Sequence, residues 1–176
     1  TEIYTLSLHD ALPIYTYPAY LRRGLRGAPK AKGYPSHTEL LSNENVQAVV
    51  VATPTHLHRE VALAALEAGK HVYCEAPMAH DIDDARAIAN AAQSAPKLNF
   101  QVGLQTRSDP QRHFLIQFLR TGVMGKSALA KGQWHKKTSW RRVSPNPERQ
   151  KELNWRLDRK LSLGLIGEIE IGRAHV

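Results

Sequence analysis

A chain of 176 residues, 42% hydrophobic and 23% charged, can bury a sizeable core and lies in the ordinary globular class, which excludes a disordered or fibrous chain. No run approaches the roughly 18 apolar residues of a membrane span, and the N-terminus lacks the basic and apolar regions of a signal peptide, so a cytoplasmic setting is expected. The formal charge of +8 points first to nucleic acid, but eleven basic against three acidic residues fall within 126–160; no helix-turn-helix, zinc-finger or RNP pattern accompanies them, and a sugar-phosphate or dinucleotide groove needs the same residue types.

In chain order, the stretch TLSLHDALPI at 5–14 and EIGRAHV at 170–176 read as translated sequencing-adapter read-through. Residues 1–15 and 170–176 are accordingly set aside from fold reasoning. Informative alternation begins near residue 30. VQAVVVATP at 46–54 is a β-branched apolar run of the kind expected of a parallel strand covered on both faces. Thr55 is placed to cap a helix with Leu57, Val61, Ala64, Ala65 and Ala68 on one face, and Gly69 stands where a left-handed cap belongs. Residues 71–75 form the next strand, broken by Ala76-Pro77. The single cysteine, Cys74, lies within it as a small buried residue that cannot form an internal disulfide.

Asp81 then caps a helix whose first turn carries Asp83 and Asp84 and whose inner face is Ile82, Ala85, Ile88, Ala89 and Ala92. Pro96 closes it, and 98–103 form a third strand. Ser108-Asp109-Pro110 starts a further helix, with Phe114, Leu115, Phe118 and Leu119 at helical spacing up to Gly122. After Gly125, SALAKGQWHKKTSW begins a second region with a strand, followed by a Pro-rich charged stretch to Lys160. Strands alternating with helices predict a parallel sheet built from βαβ crossovers. Ligands of such sheets bind beyond the carboxyl ends of the strands, where Ala52-Thr53-Pro54 with His58, Glu75-Ala76-Pro77, and Gln105 with Arg107 converge.

The segment VVVATPTHLHREVALAALEAGKHVYCEAP resembles the cofactor domain of the Gfo/Idh/MocA oxidoreductases, in which a strand ending Ala-Thr-Pro precedes a helix bearing His, then Gly-Lys-His-Val and Glu-Lys-Pro. The likeness runs from about Pro18 to Ile169. It implies an α/β fold: an incomplete Rossmann-type parallel sheet at 16–125 followed by the start of a second, open-sheet α/β domain at 126–169. It also implies NAD or NADP as cofactor, with Thr53, Pro54, His58, Glu75 and Pro77 bordering it, Glu75 near the nicotinamide ribose. An ionised carboxylate is a pure acceptor and suits ribose hydroxyls.

Two departures bear on the chemistry. Ala76 stands where the family usually has Lys, so the cation that would polarise the substrate oxygen is missing. The family's Asp-x-x-x-His element is met only by Glu168 near the Asp position, with Gly172 where the His belongs; the catalytic residues are therefore unknown. The GxGxxG turn and the acidic ribose ligand would fall upstream of the readable region, since Gly24 and Gly27 follow no apolar strand.

The remaining candidates are ambiguous. His56 and His58 form an HxH pair without partners for zinc, and no metal is expected. His135 beside Trp134 suits a sugar-like substrate or a partly buried structural pair, and Arg107 and Lys136 share that ambiguity. The parent is thus read as a dehydrogenase moving hydride between nicotinamide and a sugar or cyclitol hydroxyl, with a homo-oligomeric state expected. Its alternatives are an NAD-dependent glycoside hydrolase of the same family and a non-catalytic truncated product. The chain as written is expected to be catalytically inert and to expose an unpaired edge on its first strand.

Overall fold

The structure is a computed structural model that describes residues 3–5, 22, 26, 32–103, 108–126, 128–129, 131, 141–164 and 167–168. Among these, four strands form one parallel sheet in the order β1-β2-β3-β4: β1 Ile3–Thr5, β2 Ala48–Val51, β3 His71–Cys74 and β4 Phe100–Val102. Helix α1, His37–Leu41, lies between β1 and β2; α2, His58–Glu67, joins β2 to β3; and α3, Ile82–Ser94, joins β3 to β4. Beyond the sheet come α4, Pro110–Arg120, and α5, Pro147–Leu153.

β1 corrects the expectation for the N-terminus. Residues set aside as read-through supply a strand, with Ile3, Tyr4 and Thr5 in register with Ala48, Val49 and Val50. The physical reason is the edge itself: an unpaired β2 presents a row of N–H and C=O groups, and three residues of extended backbone suffice to engage them.

β2 and β3 pair from Ala48↔His71 to Val51↔Cys74. Burial alternates along both, with Val49, Val51, Val72 and Cys74 inward. The core is therefore one-sided in the described residues, where the unbroken apolar run predicted cover on both faces. α2 lays Val61, Ala65 and Leu66 on that face, and Tyr34, Leu40, Leu41 and Val46 complete the cluster. Each large aliphatic side chain fully withdrawn from water contributes about 1.5–3 kcal/mol.

Local signals set the helix ends. Asp81 accepts from the Asp84 amide at 2.7 Å and Asp109 from the Gln111 amide at 2.9 Å, both N-caps as predicted, with Pro110 in the first turn of α4. Gly69, at φ 71°, takes the left-handed position that lets its N–H reach Leu66 O at 2.9 Å and the Lys70 N–H reach Ala65 O at 3.0 Å, closing α2.

Two sequence expectations need correction here. Thr55 does not cap α2: residues Thr55–Leu57 form a separate 3-10 turn preceded by Pro54, and the N-cap of α2, Leu57, makes no side-chain cap bond. Ile82, assigned to an inner face, is 69% exposed, because it begins α3 at the end distant from Ile88, which is fully buried. Phe114, Leu115, Phe118 and Leu119 follow helical spacing in α4, yet all are exposed; periodicity establishes a face, whereas burial requires an element opposite it. The strand predicted just after Gly125 falls mostly outside the described residues. No helix among the described residues is long and apolar enough to cross a membrane.

Candidate functional site

Three loops meet at the carboxyl edge of the sheet. The ladder continues one step past the strands: the Glu75 amide donates to Val51 O at 2.8 Å, and the Gly103 amide to Cys74 O at 2.7 Å. This sets Ala52-Thr53-Pro54, Glu75-Ala76-Pro77 and Gly103 side by side, where a parallel sheet presents its ligand site.

His58 holds two of these loops together. It is 2% exposed, with Nε2 at 2.9 Å from Thr53 O and Nδ1 at 2.9 Å from Pro77 O, while the Cys74 Sγ lies 3.5 Å from Nδ1. Burial lowers its pKa from the ordinary imidazole value, opposed by the carbonyls of Thr53, Pro77 and Met78. A neutral ring carries one N–H, so it donates to one carbonyl at a time and accepts the Cys74 thiol at Nδ1 when the proton is on Nε2. Its position is structural: it ties the turn after β2 to the loop after β3, whose Ala76-Pro77 bond is cis.

Around this tie the polar groups differ in exposure. Thr53 Oγ1 is buried and has no hydrogen-bond partner among the described residues. Such a group calls for a donor or acceptor beyond the described residues, since an orphaned buried hydroxyl costs about 1–3 kcal/mol. Glu75 is half-buried, and its Oε2 would stand 3.1 Å from a Cβ added at Gly103, with Tyr73 Oη at 3.0 Å and the Ala76 nitrogen at 3.1 Å. Only glycine leaves that carboxylate undisturbed, a role for Gly103 that the sequence reading missed. Burial, and then the Glu75 charge, push the Tyr73 phenol up; the same two causes push the Cys74 thiol up to about 12, so Cys74 is a protonated, inert core group.

A second layer closes over the turn after β2 from the far end of the chain. The Thr55 hydroxyl donates to Glu168 Oε2 at 3.0 Å, and the Ser162 hydroxyl to Glu168 Oε1 at 2.9 Å. Trp155, 3% exposed, sits edge-on to His56 with ring centroids 5.5 Å apart, and Arg156 stacks over its ring at 4.4 Å. His56 Nδ1 and Trp155 Nε1 are likewise buried without partners among the described residues. Burial, then the neighbouring His80 and His58, lower the His56 pKa against a smaller opposing effect of Asp158. Sequence reasoning treated His56 only as half of an HxH pair and Glu168 only by its spacing; Trp155 beside His56, and Thr55 on Glu168, lie about a hundred residues away in the chain, where no local signal reaches.

Of the sequence-predicted residues, Thr53, Pro54, His58, Glu75 and Pro77 converge at this edge. Arg107, His135 and Lys136 lie outside the described residues, so the structure does not place them. His80, Asp81 and Asp84 bring donor atoms within 4.8 Å of one another, but Asp81 is occupied in capping α3 and Asp84 Oδ1 in a 2.7 Å bond from Arg59.

Residues 23–104 match the model of an oxidoreductase family with an NAD-binding Rossmann fold, Gfo/Idh/MocA. Among similar proteins, a dehydrogenase from Aspergillus oryzae is 38% identical over 100 residues, 57% of this chain and 27% of its own length. A levoglucosan dehydrogenase from Pseudarthrobacter phenanthrenivorans is 28% identical over 131 residues, 74% of this chain and 32% of its own. The crystal structure of myo-inositol 2-dehydrogenase from Lactobacillus plantarum superposes with a TM-score of 0.58 at 25% identity, covering 63% of this chain and 33% of that one. The chain thus spans about a third of the length of the relatives it matches.

Proposed function

On the premise that residues 23–104 belong to the Gfo/Idh/MocA oxidoreductase family with its NAD-binding Rossmann fold, we propose that the chain carries the nicotinamide edge of a dehydrogenase acting on a sugar or cyclitol hydroxyl. The observation that carries this reading is the convergence, at the carboxyl edge of a parallel sheet, of the Glu75 carboxylate and a buried Thr53 hydroxyl that has no partner among the described residues. These groups fit a dinucleotide: Glu75 accepts from ribose hydroxyls, the Thr53 hydroxyl faces a polar atom of the ligand, and Pro54 and Pro77 border it. His58 acts one step back, fixing the two loops rather than touching the cofactor. Bound NAD or NADP supplies the hydride chemistry.

Proton transfer is assigned to no residue, since Ala76 stands at the family's Lys position. The relatives reported above are named dehydrogenases, which favours net redox chemistry over glycoside cleavage. A carbohydrate-like small molecule is the proposed substrate, a cytoplasmic homo-oligomer the proposed state of the parent protein.

Titration of the chain with NADH, followed by nicotinamide fluorescence, tests the reading. Saturable binding is expected, weakened about tenfold in Glu75→Gln, which removes one charge-assisted acceptor. Absence of NADH binding by a folded chain, or equal affinity in the Glu75→Gln variant, would overturn it.

A further inference from the structure

Glu75 does not stand alone at the carboxyl edge. Side chains alternate across a strand, so along β3 and its one-residue extension Val72 and Cys74 face the core while Tyr73 and Glu75 share the opposite face. Both polar groups of that face reach the neighbouring loop. Tyr73 Oη, Glu75 Oε2 and the Ala76 nitrogen all lie within 3.1 Å of the point where a Cβ on Gly103 would stand.

Gly103 permits this meeting by what it lacks. It is buried, and its amide is fixed to Cys74 O at 2.7 Å. The positive-φ glycines among the described residues are Gly69, Gly122, Gly125 and Gly164, so no dihedral of Gly103 demands glycine. Space does. A methyl group at 103 would press on the Ala76 nitrogen, which the main chain holds in place, and would drive the phenol or the carboxylate aside.

The chemistry of the pair is complementary. An ionised carboxylate only accepts, whereas a protonated phenol donates. Burial, and then the Glu75 charge, keep the proton on Tyr73 at neutral pH. A ligand hydroxyl over Gly103 can therefore donate to Glu75 and accept from Tyr73 at once. Packing on the strand needs only the ring of Tyr73, and leaves unexplained why its hydroxyl is carried to the same point as the carboxylate.

We infer that Tyr73 is a ligand-binding residue of the cofactor edge: its hydroxyl donates to the nicotinamide-ribose hydroxyl from which Glu75 accepts, over the bare backbone of Gly103. The role of Tyr73 rests on the dehydrogenase reading above, which gives Glu75 its ribose. Tyr73 adds the donor half of the ribose site, and Gly103 sets how closely the two halves meet.

Calorimetric titration of the whole chain with ADP-ribose, and with ADP, which lacks the second ribose, tests this. Tyr73→Phe is expected to weaken ADP-ribose binding about fivefold and to leave the weaker ADP binding unchanged. In Tyr73→Phe/Glu75→Gln the loss should be smaller than the product of the two single losses, because one hydroxyl serves both groups. Gly103→Ala should weaken ADP-ribose about tenfold by displacing one partner of the pair; where that variant fails to fold, Tyr73→Phe, which removes a single oxygen, carries the test. Equal ADP-ribose affinity in the unmodified chain and Tyr73→Phe would overturn the inference, and a loss persisting in Glu75→Gln would leave the dehydrogenase reading standing. Equal weakening of ADP and ADP-ribose by Tyr73→Phe would make Tyr73 a packing residue and overturn the inference too. Strictly multiplicative losses in the double variant would overturn the shared hydroxyl. A folded chain that binds neither NADH nor ADP-ribose would overturn the dehydrogenase reading, and the role of Tyr73 with it.

Discussion

At the scale of single residues, the imidazoles near the sheet edge make stability depend on pH. Burial holds both His56 and His58 below the ordinary imidazole value. The unfolded chain, whose histidines titrate near about 6.5, therefore takes up protons before the folded one does. The resulting stability is fully present above about pH 6.5 and is lost as pH falls through the lower folded values. Urea midpoints should be level from neutral to mildly alkaline pH and fall on acidification, and His56→Gln should flatten the fall by removing one of the two rings. His58→Ala should cost about 2–4 kcal/mol at neutral pH, since it empties a buried site and leaves the Thr53 and Pro77 carbonyls without the ring. The motif surrounding His58 was legible in the sequence through its likeness to a family. What the ring does was not, because Pro77 O lies 19 positions away and is brought to Nδ1 by the pairing of β2 with β3.

At the scale of elements, the caps and breaks were the most legible features. Asp81, Asp109, Gly69 and Pro110 act within one turn of their own positions, so local chemistry decides them. Their energetic weight depends on what each helix packs against. α3 buries Ile88 completely, whereas α4 has no buried residue in the described part of the structure. Asp81→Ala should accordingly lower the global unfolding free energy by about 1 kcal/mol. Asp109→Ala should leave the global midpoint in place and accelerate amide exchange in the first turn of α4, as expected for local fraying. Equal global effects of the two substitutions would show that α4 is held by contacts beyond those described. Thr55 marks the boundary of such local reasoning. Its residue type suits an N-cap, but Thr55 lies inside a separate 3-10 turn ahead of α2, where its hydroxyl donates to the distant Glu168 carboxylate.

At the scale of the whole molecule, the far segment is seated on the sheet edge, among the described residues, by one aromatic contact and one bridged carboxylate, Trp155 on His56 and Glu168 between Thr55 and Ser162. Trp155→Ala should remove about 3–5 kcal/mol of packing and release 141–164, so that brief trypsin treatment cuts at its many Arg and Lys residues while 34–103 stays protected. Cleavage in both regions at the same rate would mean instead that the two unfold as one unit. By itself the sequence determined the parallel α/β class, the positions of most strands and helices, and the group of residues at the carboxyl edge, because these follow from periodicity, caps and the placement of loops after strands. Tertiary structure alone decided that Ile3–Thr5 joins the sheet, that the apolar stripe of α4 stays exposed, and that Glu168 and Trp155 close over the turn after β2. Those outcomes depend on pairing and packing between segments remote in the chain, where the competing partners of a backbone edge, an apolar face or a hydroxyl are set by the assembled fold and leave no periodic trace.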